Sequence, residues 1–593
     1  MATTFSEIAP VKKANGIAAR IGWAVLICAT LYVCYFSHLG AIGFVGPDEP
    51  RYAWIARDMA ETGDWVTPRL YGKPWFEKPP LYSWGAAICF KLFGVSEAAA
   101  RLPSAVSALL ATLALAWLAW RVYGAETARW LLLLLPTTVG MIGFSHAAAT
   151  DMPFSAMLTI AMVWAAALLH LPLECGGSPP LSYHEAGATN STGTPAPSTV
   201  GTQSAIPQAV KASWLAPILF GFFLGLAVLA KGPAAIVLCG GAVFFWAIFT
   251  KRWRDALRLL HPAGIVAFCA TALPWYILCA HRNPDFFRIF IIEHNFKRFL
   301  TPEFQHIQPF WFYGPILFVG LFPWLGMATS ALAYTFRHKF GMHLDTGAIY
   351  ILCWSAFPVI FFSISKSKLP GYVLPAIPAL IFFAALGQAK LLRIERVPVQ
   401  VGFAAMALTP VATIAALGLF EYFQPLLRTA AFREFVWACM LLSCVGAITI
   451  LALAIRKRYA AAIISGVVAW VCVLVLTYSG PLVWLDSWFS PRSIAFALLH
   501  DPQMTAEVRT LRLQRGWQFG LNFYFHRELQ EWNPAEPQGF VIASPSGIEE
   551  LKRNRMQYQV LDDTSLEAIL IRIRASEGRL KKATNIGITE PRG

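Results

Sequence analysis

Residues 21–60 read IGWAVLICATLYVCYFSHLGAIGFVGPDEPRYAWIARDMA, and the joint inside this stretch decides how the rest of the chain is to be read. From about Ile21 to Phe44 the run is apolar and long enough to cross a bilayer, which takes roughly 20 residues. It is longer than a signal-peptide core and has no convincing cleavage site, so it reads as a retained anchor. It then turns abruptly polar at Gly46-Pro47-Asp48-Glu49-Pro50-Arg51-Tyr52. Asp48 fits a helix N-cap with Pro50 in the first turn. That helix would run to about Glu61, where Gly63 can close it.

Working outward, similar apolar runs begin near residues 101, 130, 152, 213, 233, 262, 310, 348, 371, 400, 434 and 459, which makes thirteen candidate spans with the first. The chain is 57% hydrophobic and only 14% charged, against roughly 25% charged residues in soluble domains. Lipid is therefore the solvent for most of it. Lys12, Lys13 and Arg20 precede the first span and place the N-terminus in the cytoplasm. Alternation then puts inside the loops holding Arg121 and Arg129, Lys251-Arg252-Trp253-Arg254, Arg337 and Lys339, Lys390 with Arg393 and Arg396, and Arg456-Lys457-Arg458. One missed span would invert every later loop, so this agreement supports the count. The net charge of +15 is distributed as topology signals, and no nucleic-acid partner is expected. Most of the 11 cysteines sit in apolar runs without zinc-type CxxC spacing and read as small apolar residues.

These patterns predict an all-α polytopic membrane protein with a small C-terminal α/β domain. Residues 1–480 form the membrane part, with 172–212, rich in Ser, Thr, Pro, Gly and Ala, expected as a disordered cytoplasmic loop. Residues 481–593 form the second domain, which an odd number of spans places outside. There FVIASP and YQVLDD look like strands, and SGIEELKRNR and SLEAILIRIRAS look like helices.

Charged residues at a membrane face are functional candidates by default. On the expected outer side stand Asp48, Glu49, Glu77, Asp151, Glu293 and His294, together with Arg51, Lys78, Lys231, Arg298, Lys366 and Lys368. Topology rules deplete Lys and Arg from outer loops, so these cations need a reason. An anionic ligand supplies one, because Lys and Arg grip phosphate oxygens through charge-assisted bonds. A lipid phosphate arriving through the outer leaflet fits.

DEPRYAWIARDM, GDWVTPRLYGKPWFEKPPLYSW and ARLPSAVSALL, in that order, closely resemble the N-terminal signature of bacterial GT-C glycosyltransferases, nearest to the lipid A 4-amino-4-deoxy-L-arabinose transferases. ATDMPFSA, LAKGPAA, EHNFKRFLTP and SKSKLPGYVLP resemble later landmarks of the same group. The likeness covers roughly residues 20 to 390. It implies a GT-C fold with juxtamembrane amphipathic helices, a bacterial inner-membrane location and an undecaprenyl-phosphate sugar donor. It also implies Asp48 as catalytic acid/base, with Asp151 as a second essential carboxylate and Glu49 beside Asp48. Arg51, Lys78, Lys231 and Arg298 would bind the carrier phosphate, with Lys366 and Lys368 nearby, and Tyr52, Tyr82 and Tyr372 would line the donor pocket. Glu77 and His294 resemble positions linked in relatives to a divalent metal, for which zinc, magnesium and manganese are candidates; two ligands alone do not make a site.

The expected reaction moves a sugar from a polyprenyl-phosphate to lipid A or another cell-envelope glycolipid, with inversion. The alternatives are a protein O-mannosyltransferase-like enzyme acting on exported proteins and, from a different class, a flippase for lipid-linked sugars. Transporters place ionisable groups near the midplane and often show repeated halves. Here the charges crowd one face.

Overall fold

The computed structural model describes residues 16–169, 214–297, 308–329, 346–391, 430–533 and 538–573, with single positions at 407, 411, 414 and 418. The expected loop at 172–212, most of the run near residue 400, and Arg298 lie outside them.

The first helices are α1 (Ile17–Tyr35), α2 (Asp48–Thr62), α3 (Leu81–Phe93), α4 (Glu97–Tyr123), α5 (Ala125–Leu134), α6 (Val139–Ser145) and α7 (Asp151–Leu168). Between α2 and α3 a two-residue hairpin pairs β1 (Arg69–Leu70) with β2 (Lys73–Pro74). Next come α8 (Leu215–Lys231), α9 (Ala234–Thr250), a one-turn α10 (Trp253–Ala256) continued by a tighter turn over Leu257–Leu260, and α11 (Pro262–Arg282). A wide-turned helical segment spans Arg288–Lys297. Then follow α12 (Tyr313–Gly320), α13 (Thr346–Ile364), α14 (Ala376–Leu391), α15 (Ala430–Ile455) and α16 (Tyr459–Ser479).

Among the described residues seven helices are long and apolar enough to cross a membrane: α1, α4, α7, α11, α13, α15 and α16. The pair α5 and α6, bent by 62°, would make an eighth. Four further expected runs appear as the shorter apolar helices α8, α9, α12 with its preceding turn, and α14. The chain is a multi-pass membrane protein. Its central helix is α7, whose apolar window is 89% buried, against the lipid-facing norm of one covered stripe. Where α8 crosses α11, a Cβ on Gly221 would lie 1.9 Å from the Gly264 carbonyl oxygen, and one on Gly225 2.8 Å from Thr271. Small residues of this kind let backbones approach in lipid, where packing rather than the hydrophobic effect joins helices.

After α16 the chain continues through α17 (Pro481–Phe489), α18 (Arg492–Leu499), α19 (Pro502–Glu507), β3 (Arg509–Leu511), α20 (Arg515–Phe525), β4 (Gly539–Ala543), α21 (Pro545–Arg553), β5 (Tyr558–Asp562) and β6 (Ile569–Ile573). The sheet order is β3-β4-β6-β5; β3 is parallel to β4 and the other pairs are antiparallel. SGIEELKRNR falls on α21 as expected, and FVIASP and YQVLDD fall on β4 and β5. SLEAILIRIRAS does not form the expected helix: its core, Ile569–Ile573, is β6. Both faces of that strand carry buried apolar residues, because helices cover both sides, and Arg572 alone is exposed. Leu570 packs with Phe540, Ile542, Trp517 and Leu521, while Ile571 and Ile573 pack with Val541, Ile548 and Leu551. A doubly covered strand reads as a continuous apolar run, which periodicity alone cannot tell from a buried helix.

This sheet unit docks onto the loop that follows α1. Arg492 donates to Asp486 at 2.7 Å and to the carbonyls of Gly40 and Ala41 at 2.8 and 2.7 Å. Gly43 N–H donates to Asp486, and the Tyr524 hydroxyl accepts from Phe44 N–H while donating to Glu97. Gly43 is required here, since a Cβ would sit 2.1 Å from Ser490 Oγ.

Candidate active site

The polar joint after α1 becomes two constellations of opposite character. Asp48 opens α2 but does not cap it; Pro47 holds the cap position without a side-chain bond, and Gly63 closes the helix with φ +74°. The Asp48 carboxylate instead takes a hydrogen bond from Arg51 at 2.5 Å, and its side chain stays 48% exposed. An acid in the first turn is favoured by the helix dipole. Arg51 also faces Glu77 at 3.5 Å and lies over the rings of Tyr52, Trp75 and Phe519 at 5.4, 5.3 and 6.0 Å. Its Nε is buried without an acceptor among the described residues. Aromatic faces thus hold the guanidinium on one side, while the two carboxylates hold it on the other.

Tyr52 ties this group to the next one. Burial pushes its hydroxyl well above the usual phenol range, and the negative charges of Asp48, Asp151 and Glu77 push the same way against Arg51. The start of α2, the turn before α3 and the start of α7 thus each contribute a carboxylate whose charge reaches this phenol. Asp151, at the first position of α7, forms an ion pair with Lys231, the last residue of α8. Each charge suits the helix end it occupies. Lys231 lies 4.8 Å over the Tyr372 ring and 5.6 Å over Phe154. The tight turn Pro370–Val373 brings Gly371 against the same carboxylate, and a Cβ there would stand 2.2 Å from Asp151 Oδ1.

Glu49, expected among the catalytic carboxylates, has a different place. It accepts from Arg101 Nε and a terminal Arg101 nitrogen at 2.9 and 2.8 Å, from Val45 N–H at 2.9 Å and from Ala148 N–H at 2.8 Å. Arg101 spends its other donors on the carbonyls of Leu39, Ile42 and Gly43 at 2.6–2.9 Å. Both residues are buried. A carboxylate offers about four acceptor sites and a guanidinium five donors, so the pair is saturated. It clamps the α1–α2 loop to α4 and to the strand of backbone before α7.

Two other expected binding groups are likewise spent on structure. Tyr82 is fully buried, donates to the Ala100 carbonyl at 2.8 Å and offers Tyr52 only its ring, centroids 5.9 Å apart. Lys368 is buried, with its ammonium on the carbonyls of Ser365 and Gln308 at 2.6 and 3.0 Å; burial, then the charge of Lys366, holds it below the usual lysine range. Lys366 itself is exposed, and Lys78 follows Glu77 half-buried in the turn before α3. His294 is half-buried on the Arg288–Lys297 segment, where Glu293 pairs with Arg288 at 2.8 Å.

Among the described residues no three of His, Cys, Asp and Glu converge as ligands, and Glu77 is turned to a guanidinium. Sequence reasoning passed over Arg101, Gly371 and Phe519 as site-building residues. Arg101 and Gly371 each lie within a landmark stretch, Arg101 as the only charge of its own, which was the available signal; Phe519 carries no local signal, because its role exists only across the fold.

Two family models, both described as dolichyl-phosphate-mannose-protein mannosyltransferase, match residues 77–171 and 203–290. Undecaprenyl phosphate-alpha-4-amino-4-deoxy-L-arabinose arabinosyl transferases from Edwardsiella ictaluri and Erwinia tasmaniensis are each 31% identical, over 61% and 57% of this chain. The matches span 59% and 54% of those relatives, under two-thirds of their length. The crystal structure of ArnT from Cupriavidus metallidurans bound to undecaprenyl phosphate superposes with a TM-score of 0.69 at 22% identity, covering 93% of this chain and 98% of that one. The chain has the GT-C fold, and in sequence it resembles the aminoarabinose transferases over about three-fifths of its length.

Proposed function

We propose that this protein transfers a sugar from an undecaprenyl-phosphate or related polyprenyl-phosphate carrier to an acceptor on the periplasmic side of a bacterial inner membrane, with lipid A or another envelope glycolipid as acceptor. The N-terminus is cytoplasmic and the unit from about residue 481 is periplasmic in this reading. The observation that carries it is the pair of ion clusters at the candidate site, Asp48–Arg51–Glu77 at the start of α2 and the turn before α3, and Asp151–Lys231 where α7 begins and α8 ends. Both relatives are named for an undecaprenyl-phosphate-linked aminopentose, and the structural neighbour holds undecaprenyl phosphate.

The chemistry follows from the donor. An acceptor oxygen attacks the anomeric carbon, the bond from that carbon to the phosphate oxygen breaks, and the electron pair leaves with the lipid phosphate. Arg51 and Lys231, with Lys78, meet that developing charge, which is usually the largest catalytic contribution. Asp48, the open carboxylate, takes the acceptor's proton as general base. A phosphate that draws Arg51 away from Asp48 frees the base at the moment it is needed. In-line displacement inverts the sugar configuration. Asp151 orients Lys231, and Tyr372 forms the floor beneath that ammonium.

A second reading, transfer to exported proteins, is favoured by the description of the two family models. The discriminating experiment incubates purified protein with a panel of polyprenyl-phosphate sugars, each offered lipid A or an unfolded exported protein. Consumption of one donor with release of polyprenyl phosphate and a glycosylated lipid is the expected result. A glycosylated protein instead selects the second reading. Movement of intact donor across vesicles without consumption overturns both in favour of a transporter.

A further inference from the structure

Between α8, α9 and α11 lies a cavity of about 380 Å³ that reaches from Ile236, near the start of α9, to the Trp253–Leu260 segment beyond its other end. It is walled by Phe220 and Leu224 of α8, Cys239 and Val243 of α9, Leu260 of the turn after α10 and Phe268 of α11. Lys231 and Ala234 mark the other ends of these helices, and the 17 residues of α9 rise about 25 Å. The end of this cavity lined by Trp253, Leu257 and Leu260 therefore lies at the opposite membrane boundary from the candidate active site, and it does not depend on the function proposed for that site.

Its walls are apolar and its rim is basic. Lys251 ends α9 in a left-handed turn, φ +57°, and Arg252, Arg254 and Arg258 follow within two turns. Asp255 is the one carboxylate among residues 251–260. It holds Arg252 at 2.6 Å and Arg258 at 3.1 Å, so Lys251 and Arg254 remain exposed and without a carboxylate partner among the described residues. Trp253, Leu257 and Leu260 are 46%, 62% and 63% exposed on the same short segment, the composition of an interfacial anchor. Basic groups beside an apolar recess between membrane helices suit a lipid with an anionic headgroup.

The glycines around the recess have two distinct jobs. Gly221 and Gly264 are needed for the α8–α11 crossing, but a Cβ on Gly240 meets nothing within 4 Å. A mid-helix glycine that faces open space costs helix stability relative to alanine, and nothing in its packing requires it. Here it widens the cavity wall. We propose that this cavity and its rim bind an anionic phospholipid of the opposite leaflet, one acyl chain inside the recess and the phosphate between Lys251 and Arg254.

The test uses the full chain in nanodiscs with phosphatidylglycerol carrying a photoreactive acyl chain. Label is expected in peptides covering residues 236–244 and 257–268, competed by unlabelled phosphatidylglycerol better than by phosphatidylcholine. Gly240→Phe fills the recess and should bring that labelling to background. Lys251→Gln with Arg254→Gln, both exposed, should lower the preference for phosphatidylglycerol over phosphatidylcholine by roughly thirty-fold, the size expected for two cations near an anionic headgroup. Equal competition by both unlabelled lipids in the unaltered protein, or labelling untouched by a folded Gly240→Phe variant, overturns the proposal. So does competition by undecaprenyl phosphate alone, which would make the recess a seat for the carrier's tail.

Discussion

Asp48 and Glu49 are adjacent in sequence and chemically alike, yet they belong to different machines. Glu49 is sealed in with Arg101, and its oxygens are met by four donors. Asp48, one residue earlier and about 100° around the helix, is half-exposed and has one partner, Arg51, that itself faces a second acid and three rings. A saturated buried pair can only hold shape, because any new bond to it must break an old one. An open, under-committed pair can change partners, which is what binding and proton transfer require. The same contrast separates Lys368, spent on two carbonyls, from Lys231, which is paired directly with Asp151 over the Tyr372 ring.

The comparison breaks first at Asp48. Asp48→Asn should reduce transfer by roughly 10²–10⁴-fold, the usual worth of a general base, while thermal unfolding stays nearly unchanged, since half-exposed ion pairs contribute about 0–1 kcal/mol. Near-normal transfer in that variant, measured as polyprenyl phosphate released, would remove Asp48 from the chemistry.

The clamp should respond in the reverse sense. Arg101→Met leaves the Glu49 carboxylate buried with only two N–H partners, and loss of one member of a buried pair costs about 3–5 kcal/mol. The readout is the unfolding temperature and yield of folded protein. Adding Glu49→Leu to Arg101→Met should restore part of the lost stability, because the pair then goes together. If the double variant is no better than the single one, saturation of the pair is not what holds the loop.

The smallest expected effect is also the most specific. Gly371→Ala places a methyl where the Asp151 carboxylate sits and should displace it together with Lys231. Misplacement by about 1 Å can cost on the order of 10²-fold in rate, so a ten- to hundred-fold fall in transfer with retained folding is expected. Unaltered kinetics in this variant would detach the Asp151–Lys231 pair from the reaction.

Much of the architecture was legible because lipid imposes a simple rule: apolar runs near 20 residues must become helices. α1, α4, α7, α11, α13, α15 and α16 follow from that rule alone. The helix after Pro47 and its closure at Gly63 were legible for the same local reason, a polar joint followed by a glycine able to take positive φ. The strand β6 was not, since Ile569–Ile573 carries buried apolar residues on both faces and only its neighbours distinguish strand from helix.

What the sequence by itself determined is where charge could stand: solvation confines it to the ends of apolar helices, so Asp48, Glu77, Asp151 and Lys231 were visible as a boundary population. What only the tertiary structure decided is which of those charges are consumed. That depends on partners up to hundreds of residues away, Arg101 for Glu49, Gly371 for Asp151 and Phe519 for Arg51, and a hydrogen bond or a steric approach of a few ångströms has no trace in local composition.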